Sequence, residues 1–140
     1  MPILIDTSAI VAAMNEQETH HARVAEELVR LAPDGLLIPS TILAETMSFA
    51  RARYGLQVQR RLWDGIGRAG IEIVPVDAEL IARAREIDVV YEDAGFGFAD
   101  CALLATCERL RIARLFTLNR RLALYRPGFA EGIEILPQGP

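Results

Sequence analysis

Short, uninterrupted apolar runs alternate along the chain with longer stretches of helical periodicity, and no other feature restricts the possible folds as much. Five runs read as strands: Ile3–Ile5, Gly35–Ile38, Ile71–Val76, Arg114–Leu118 and Ile133–Leu136. Most lack the apolar–polar alternation of a half-exposed strand, as expected when both faces of a parallel sheet are covered. Between them, His20–Leu31 sets Val24, Leu28 and Leu31 on one stripe. Helices are likewise expected over Ser40–Tyr54 (with Ser40 as N-cap), Leu56–Arg68, Ala78–Val90 and Ala99–Leu110. Strands that alternate with helices are joined by crossovers. The expected fold class is therefore α/β: one three-layer α/β/α domain over residues 1–140, with a central, mainly parallel sheet of about five strands.

At 140 residues and 51% hydrophobic, such a chain buries roughly two-thirds of its unfolded surface and needs neither disulfides nor a structural metal. Its formal charge of -4 is too small, and its apolar content too large, for a disordered chain. No apolar run approaches the roughly 20 residues of a membrane helix. The start, Met1-Pro2-Ile3-Leu4-Ile5-Asp6, lacks a basic segment and reaches an acid too early for a signal peptide. Cys101 and Cys107 fall about 240° apart around one expected helix and cannot pair with each other. These features set the expectation of a cytoplasmic protein with reduced thiols and no membrane partner. All 15 basic residues are arginine, which excludes any chemistry that needs a side-chain amine.

The modest net charge conceals segregation. Residues 51–70 carry five arginines against Asp64, and residues 101–130 carry six against Glu108, while the acids concentrate in residues 1–50 and 71–100. Such a layout suits either ordinary solvated helix faces or an acidic site flanked by phosphate-gripping arginines.

Ligands of open parallel α/β sheets bind beyond the carboxyl ends of the strands, so polar residues at those ends are the candidates. Asp6 directly follows Ile3–Ile5, where it can also cap a following helix. Asp100 shares its helical stripe with Leu103, Leu104, Cys107 and Leu110, a register that turns a carboxylate toward the interior. There it must protonate, find a cation or bind a metal; a first-turn acid favoured by the helix dipole is the alternative. Glu45 lies between Ile42 and Phe49 at the edge of their stripe, and Asn119 ends the strand Arg114–Leu118, where it can orient a water or cap a turn. Asp93, across Gly95 and Gly97 from Asp100, reads either as leaning into the same site or as a loop acid, and His20 and His21 read as surface residues. Three acids and an amide on separate elements form a hard oxygen donor set suited to Mg²⁺ or Mn²⁺. Such a site can activate water for in-line attack on a phosphodiester.

Four pieces of the chain, in order, resemble the PIN-domain nucleases, and specifically the VapC-like toxins of bacterial toxin–antitoxin pairs: Ile3-Leu4-Ile5-Asp6-Thr7-Ser8-Ala9, Ser40-Thr41-Ile42-Leu43-Ala44-Glu45, the run from Tyr91 to Ala105 containing Asp100, and Phe116-Thr117-Leu118-Asn119-Arg120-Arg121. The resemblance implies a PIN-like domain acting as a Mg²⁺-dependent endoribonuclease, usually a homodimer, held inactive by a cognate antitoxin protein. It also implies Asp6 and Asp100 as principal metal ligands, with Glu45 as a third acid. Asn119 departs from the pattern, because the family usually has an aspartate there. One negative charge is lost, and weaker Mg²⁺ binding is expected. A catalytically weakened PIN-like module that binds RNA or a protein is the alternative reading. Arg51, Arg53, Arg120 and Arg121 are the arginines expected to contact RNA phosphates.

Other classes fit less well. Gly65-x-Gly67-x-x-Gly70 matches the dinucleotide fingerprint as a string, but it follows a helical stretch and precedes a strand, the reverse of the required context. Phosphoacceptor receivers and haloacid-type phosphatases place an aspartate after the first strand but use a lysine, which this chain lacks. A serine triad fails for want of a placed histidine.

Overall fold

The computed structural model describes residues 1–138. In chain order the elements are β1 (Ile3–Ile5), α1 (Thr7–Met14), α2 (His21–Leu31), β2 (Leu36–Pro39), α3 (Ser40–Tyr54), α4 (Leu56–Arg68), β3 (Glu72–Val74), α5 (Ala78–Val90), α6 (Phe98–Leu110), β4 (Arg114–Phe116) and β5 (Glu134–Leu136). Short 3-10 turns cover Ala32–Asp34, Glu92–Ala94 and Arg120–Leu124. The five strands form one sheet in the order β3-β2-β1-β4-β5, and every neighbouring pair is parallel. Ile3, Leu4 and Ile5 are each 0% exposed. Successive strand residues point to opposite faces, so helices cover both sides of the central strand, and the expected α/β architecture is present.

The chain builds outward from β1 to β2 and β3, then returns across the sheet to place β4 on the other side of β1. The reversal leaves a crevice at the carboxyl ends of β1 and β4, where doubly wound sheets bind ligands.

Several expectations shift by local chemistry. The strands are shorter than their apolar runs, because only the residues that pair form the ladder. Ser40 is the first residue of α3 rather than its cap, a position held by Pro39; the Ser40 hydroxyl accepts the Val76 N–H at 3.0 Å and ties the start of α3 to the segment after β3. Helix α1 is not apparent in the sequence. Ala9 to Ala13 are all buried, so it shows no polar face and no amphipathic period. The glycine string falls inside and just after α4. A Cβ on Gly65 would meet Met14 Cε at 3.1 Å, so that glycine serves close packing of α4 on α1. Gly55 takes φ +95°, a conformation costly for side-chain-bearing residues, and breaks α3 from α4. Cys101 and Cys107 are both free thiols in α6.

Candidate metal centre

The crevice beyond β1 and β4 is a cavity of about 420 Å³ whose lining includes Asp6, Glu45, Asp100 and Asn119. The four sequence candidates therefore border one space. Each arrives by a different route.

Asp6 stands between β1 and α1 and is 4% exposed. One carboxylate oxygen accepts the Thr7 N–H at 2.8 Å, capping α1. The other accepts the Thr117 hydroxyl at 2.7 Å, with the Ser8 hydroxyl at 3.4 Å. Burial raises the carboxyl above its ordinary value of 3.8; the Thr117 and Thr7 hydrogen bonds oppose that rise, while Asp100 and Glu45 add to it through like-charge repulsion. Capping and site-building are thus the same placement.

Asp100 lies in the first turn of α6, where a carboxylate oxygen accepts the Gly97 N–H at 3.0 Å. It is half-buried, whereas Ala99 and Cys101 to Cys107 are buried without a break. The stripe argument did not discriminate on a helix covered nearly all round; Leu110, assigned to the buried stripe, is 37% exposed. Asp100 is a first-turn acid, as the alternative reading had it, and it also borders the cavity.

Glu45 is exposed on α3, and its carboxylate accepts the Thr7 hydroxyl at 2.6 Å. Its supposed apolar neighbour Phe49 is not core but 43% exposed at the cavity wall. Asn119 caps the Arg120–Leu124 turn by accepting the Arg121 N–H at 3.2 Å, so its side chain is engaged in local structure while it borders the cavity. Asp93 is exposed on its own short turn and is not part of the lining. His20 is exposed, whereas His21 is half-buried and donates through Nδ1 to the Ala12 carbonyl at 2.9 Å.

The residues that hold the acids in place were not singled out in the sequence. Thr117 is 1% exposed and Thr46 0%. The Thr46 hydroxyl lies 3.1 Å from that of Thr7, and the Ser8 hydroxyl accepts the Leu118 N–H at 2.9 Å, joining α1 to the end of β4. Glu18, from the turn after α1, adds a further acid to the lining.

None of the lining residues is cationic. A buried carboxylate beside two others, with no arginine among the lining residues, could be compensated by an external cation. Among the described residues, no three side chains of His, Cys, Asp or Glu already converge into a cage. A Mg²⁺-type ion, which keeps several waters and takes only one or two carboxylates, does not require such a cage. Among the described residues no helix is long and apolar enough to cross a membrane.

A family model described as the PIN domain matches residues 3–127. Ribonuclease VapC26 of Mycobacterium tuberculosis is 29% identical over 119 residues, 85% of this chain and 87% of that protein. Among solved structures, Mycobacterium tuberculosis VapC20, described as a sarcin-ricin loop cleaving toxin, superposes with a TM-score of 0.81 at 19% identity, over 92% of this chain and 98% of that one. The Rickettsia felis VapBC2 complex bound to a promoter DNA fragment gives a TM-score of 0.72 at 22% identity, covering 96% and 97%.

Proposed function

The chain belongs to the PIN domain family, and from that premise we propose that it is a Mg²⁺-dependent endoribonuclease and the toxin of a toxin–antitoxin pair. The observation that carries the reading is the buried Asp6 carboxylate, held by hydroxyls and a backbone N–H rather than by a cation, in one cavity with Glu45 and Asp100. The likeness to a ribonuclease VapC and to VapBC complexes supports the assignment of RNA as substrate and of an antitoxin protein as partner. A homodimer is part of the same reading.

Asp6 and Asp100 would hold the ion, with Glu45 contributing directly or through a water. When bound, a divalent cation supplies Lewis acidity and neutralises charge on the phosphate. The chain's own part is orientation. Thr117 and Thr7 fix the two oxygens of Asp6, the Gly97 N–H fixes Asp100, and the Thr7 hydroxyl fixes Glu45. Asn119 offers an amide where an acid would add a charge, which favours weaker ion binding. In the hydrolysis, a water oxygen bonds to phosphorus, the bond to the leaving oxygen breaks, and that oxygen takes up a proton.

The test is incubation of the purified protein with structured RNA, with and without Mg²⁺, beside an Asp100→Asn control. Cleavage that requires Mg²⁺ and disappears in the control is the expected result. RNA bound but left intact by the unaltered protein would overturn the nuclease reading in favour of a binding module.

A further inference from the structure

The cavity wall made by α3 carries an aromatic ring that the fold does not use. The buried stripe of α3 consists of Ile42, Thr46 and Ala50, and Phe49 stands beside it, 43% exposed and facing the same cavity as Glu45. Phe49 follows Glu45 by four residues, so the two positions lie on one side of α3, about 6 Å apart along its axis.

The ring is also braced. Tyr54 meets it edge-to-face, with centroids 6.1 Å apart and planes at 77°. The Tyr54 hydroxyl in turn donates to Glu18, whose turn forms part of the same wall. The Arg53 guanidinium lies 5.9 Å from the Tyr54 ring centroid. Trp63 is more exposed, at 66%, but it lines a separate apolar groove away from the carboxylates.

Resting on the ribonuclease reading, we propose that Phe49, braced by Tyr54, is a base-stacking subsite that seats a nucleotide next to the phosphate at the Asp6–Glu45–Asp100 cavity. The chemistry favours a nucleobase. The cavity itself repels the phosphate backbone until an ion is present, so substrate must gain affinity from groups beside it. An aromatic face accepts any base, and in single-strand binding it is among the largest sequence-tolerant contributions. A braced ring also loses little freedom when a base settles on it.

Two measurements on the full chain test this. In steady-state cleavage with Mg²⁺, Phe49→Ala should raise KM about tenfold with little change in kcat, and Phe49→Trp should restore it. In an Asp100→Asn background with Mg²⁺, a short single-stranded RNA carrying 2-aminopurine should lose fluorescence on binding; adding Phe49→Ala should abolish that quenching while Phe49→Trp keeps it. An Ala variant that cleaves and quenches like its parent overturns the subsite and leaves the ribonuclease reading standing. Quenching through Phe49, together with an unaltered chain that cleaves no RNA in Mg²⁺, supports the subsite and removes the nuclease.

Discussion

One hydroxyl decides how Asp6 presents itself. Thr117 donates to an Asp6 oxygen at 2.7 Å from a fully buried position, and a group that orients a metal-binding carboxylate typically governs ion affinity by 10- to 100-fold, roughly. Thr117→Val should therefore weaken Mn²⁺ binding by about that factor with the fold intact, as read by calorimetric titration and circular dichroism. The carboxylates themselves work against the fold. Burial and two like charges raise the Asp6 carboxyl, so its ionised form destabilises the ion-free protein at neutral pH. Asp6→Asn should raise the ion-free Tm by about 3 °C, equivalent to about 1 kcal/mol, and should abolish the further rise that Mg²⁺ gives the unaltered protein. An Asn variant no more stable than its parent would count against that electrostatic cost. At Asn119 the expectation runs the other way. Aspartate can accept the same Arg121 N–H and bring the missing charge, so Asn119→Asp should tighten Mn²⁺ binding, and equal affinities would dismiss the idea. Asp6 and Asn119 were legible because strand ends are marked in the sequence, whereas the stripes that singled out Asp100 and Glu45 did not discriminate and the family resemblance placed them. Thr117 was not, since nothing local says which hydroxyl will face an acid 111 residues away, and neither Thr46 nor Glu18 carries a local mark.

At the scale of elements, α5 and α6 are joined by charge as well as by packing. Arg83 on α5 grips both oxygens of Glu108 on α6, at 2.7 and 2.9 Å, and the Tyr125 hydroxyl, on a side chain 1% exposed, donates to the same carboxylate. Arg83 and Tyr125 hold the Glu108 carboxyl below its ordinary range. Glu108→Ala orphans the Tyr125 hydroxyl in a buried place and should cost about 2 kcal/mol in urea denaturation. At the other end of α5, Asp77 caps the helix through the Leu80 N–H at 2.9 Å and pairs with Arg109 at 2.8 and 3.0 Å. These partners, the Arg109 guanidinium first, lower its carboxyl from 3.8 to about 2. A depressed carboxylate stabilises the fold above its unfolded value and loses that effect as pH falls. Asp77→Ala should accordingly lower the Tm at neutral pH, with the deficit narrowing as pH drops from 3.8 toward about 2. Helix α5 was readable from periodicity because it keeps a solvent face. Helix α1 was not: its stretch from Ala9 to Ala13 is buried throughout, so it gave no period to read.

Across the whole molecule, each of the two basic stretches contributes arginines that are close in sequence to residues lining the acidic cavity. Arg51 and Arg53 occupy the last turn of α3, below Phe49, and Arg120 and Arg121 open the turn that Asn119 caps. The Arg121 guanidinium lies so close over Gly95 that a Cβ there would meet its Nη1 at 2.8 Å, and Gly95 adopts the left-handed φ of +76°. That arginine is thus seated against the loop leading into α6 and Asp100. A protein of net charge -4 binding a polyanion must rely on such local fields rather than on its total charge. Each arginine that neutralises a phosphate of single-stranded RNA contributes about 0.7 to the slope of log affinity against log salt. Replacing Arg51, Arg53, Arg120 and Arg121 with glutamine should reduce that slope by about 3, measured by fluorescence anisotropy on an uncleavable RNA in the Asp100→Asn background. Asp64→Asn, on α4 away from the cavity lining, should leave the slope as it is. A slope that survives loss of all four arginines would mean that the phosphates run along another face. The segregation of charge seen along the chain would then be no more than solvation of its helices.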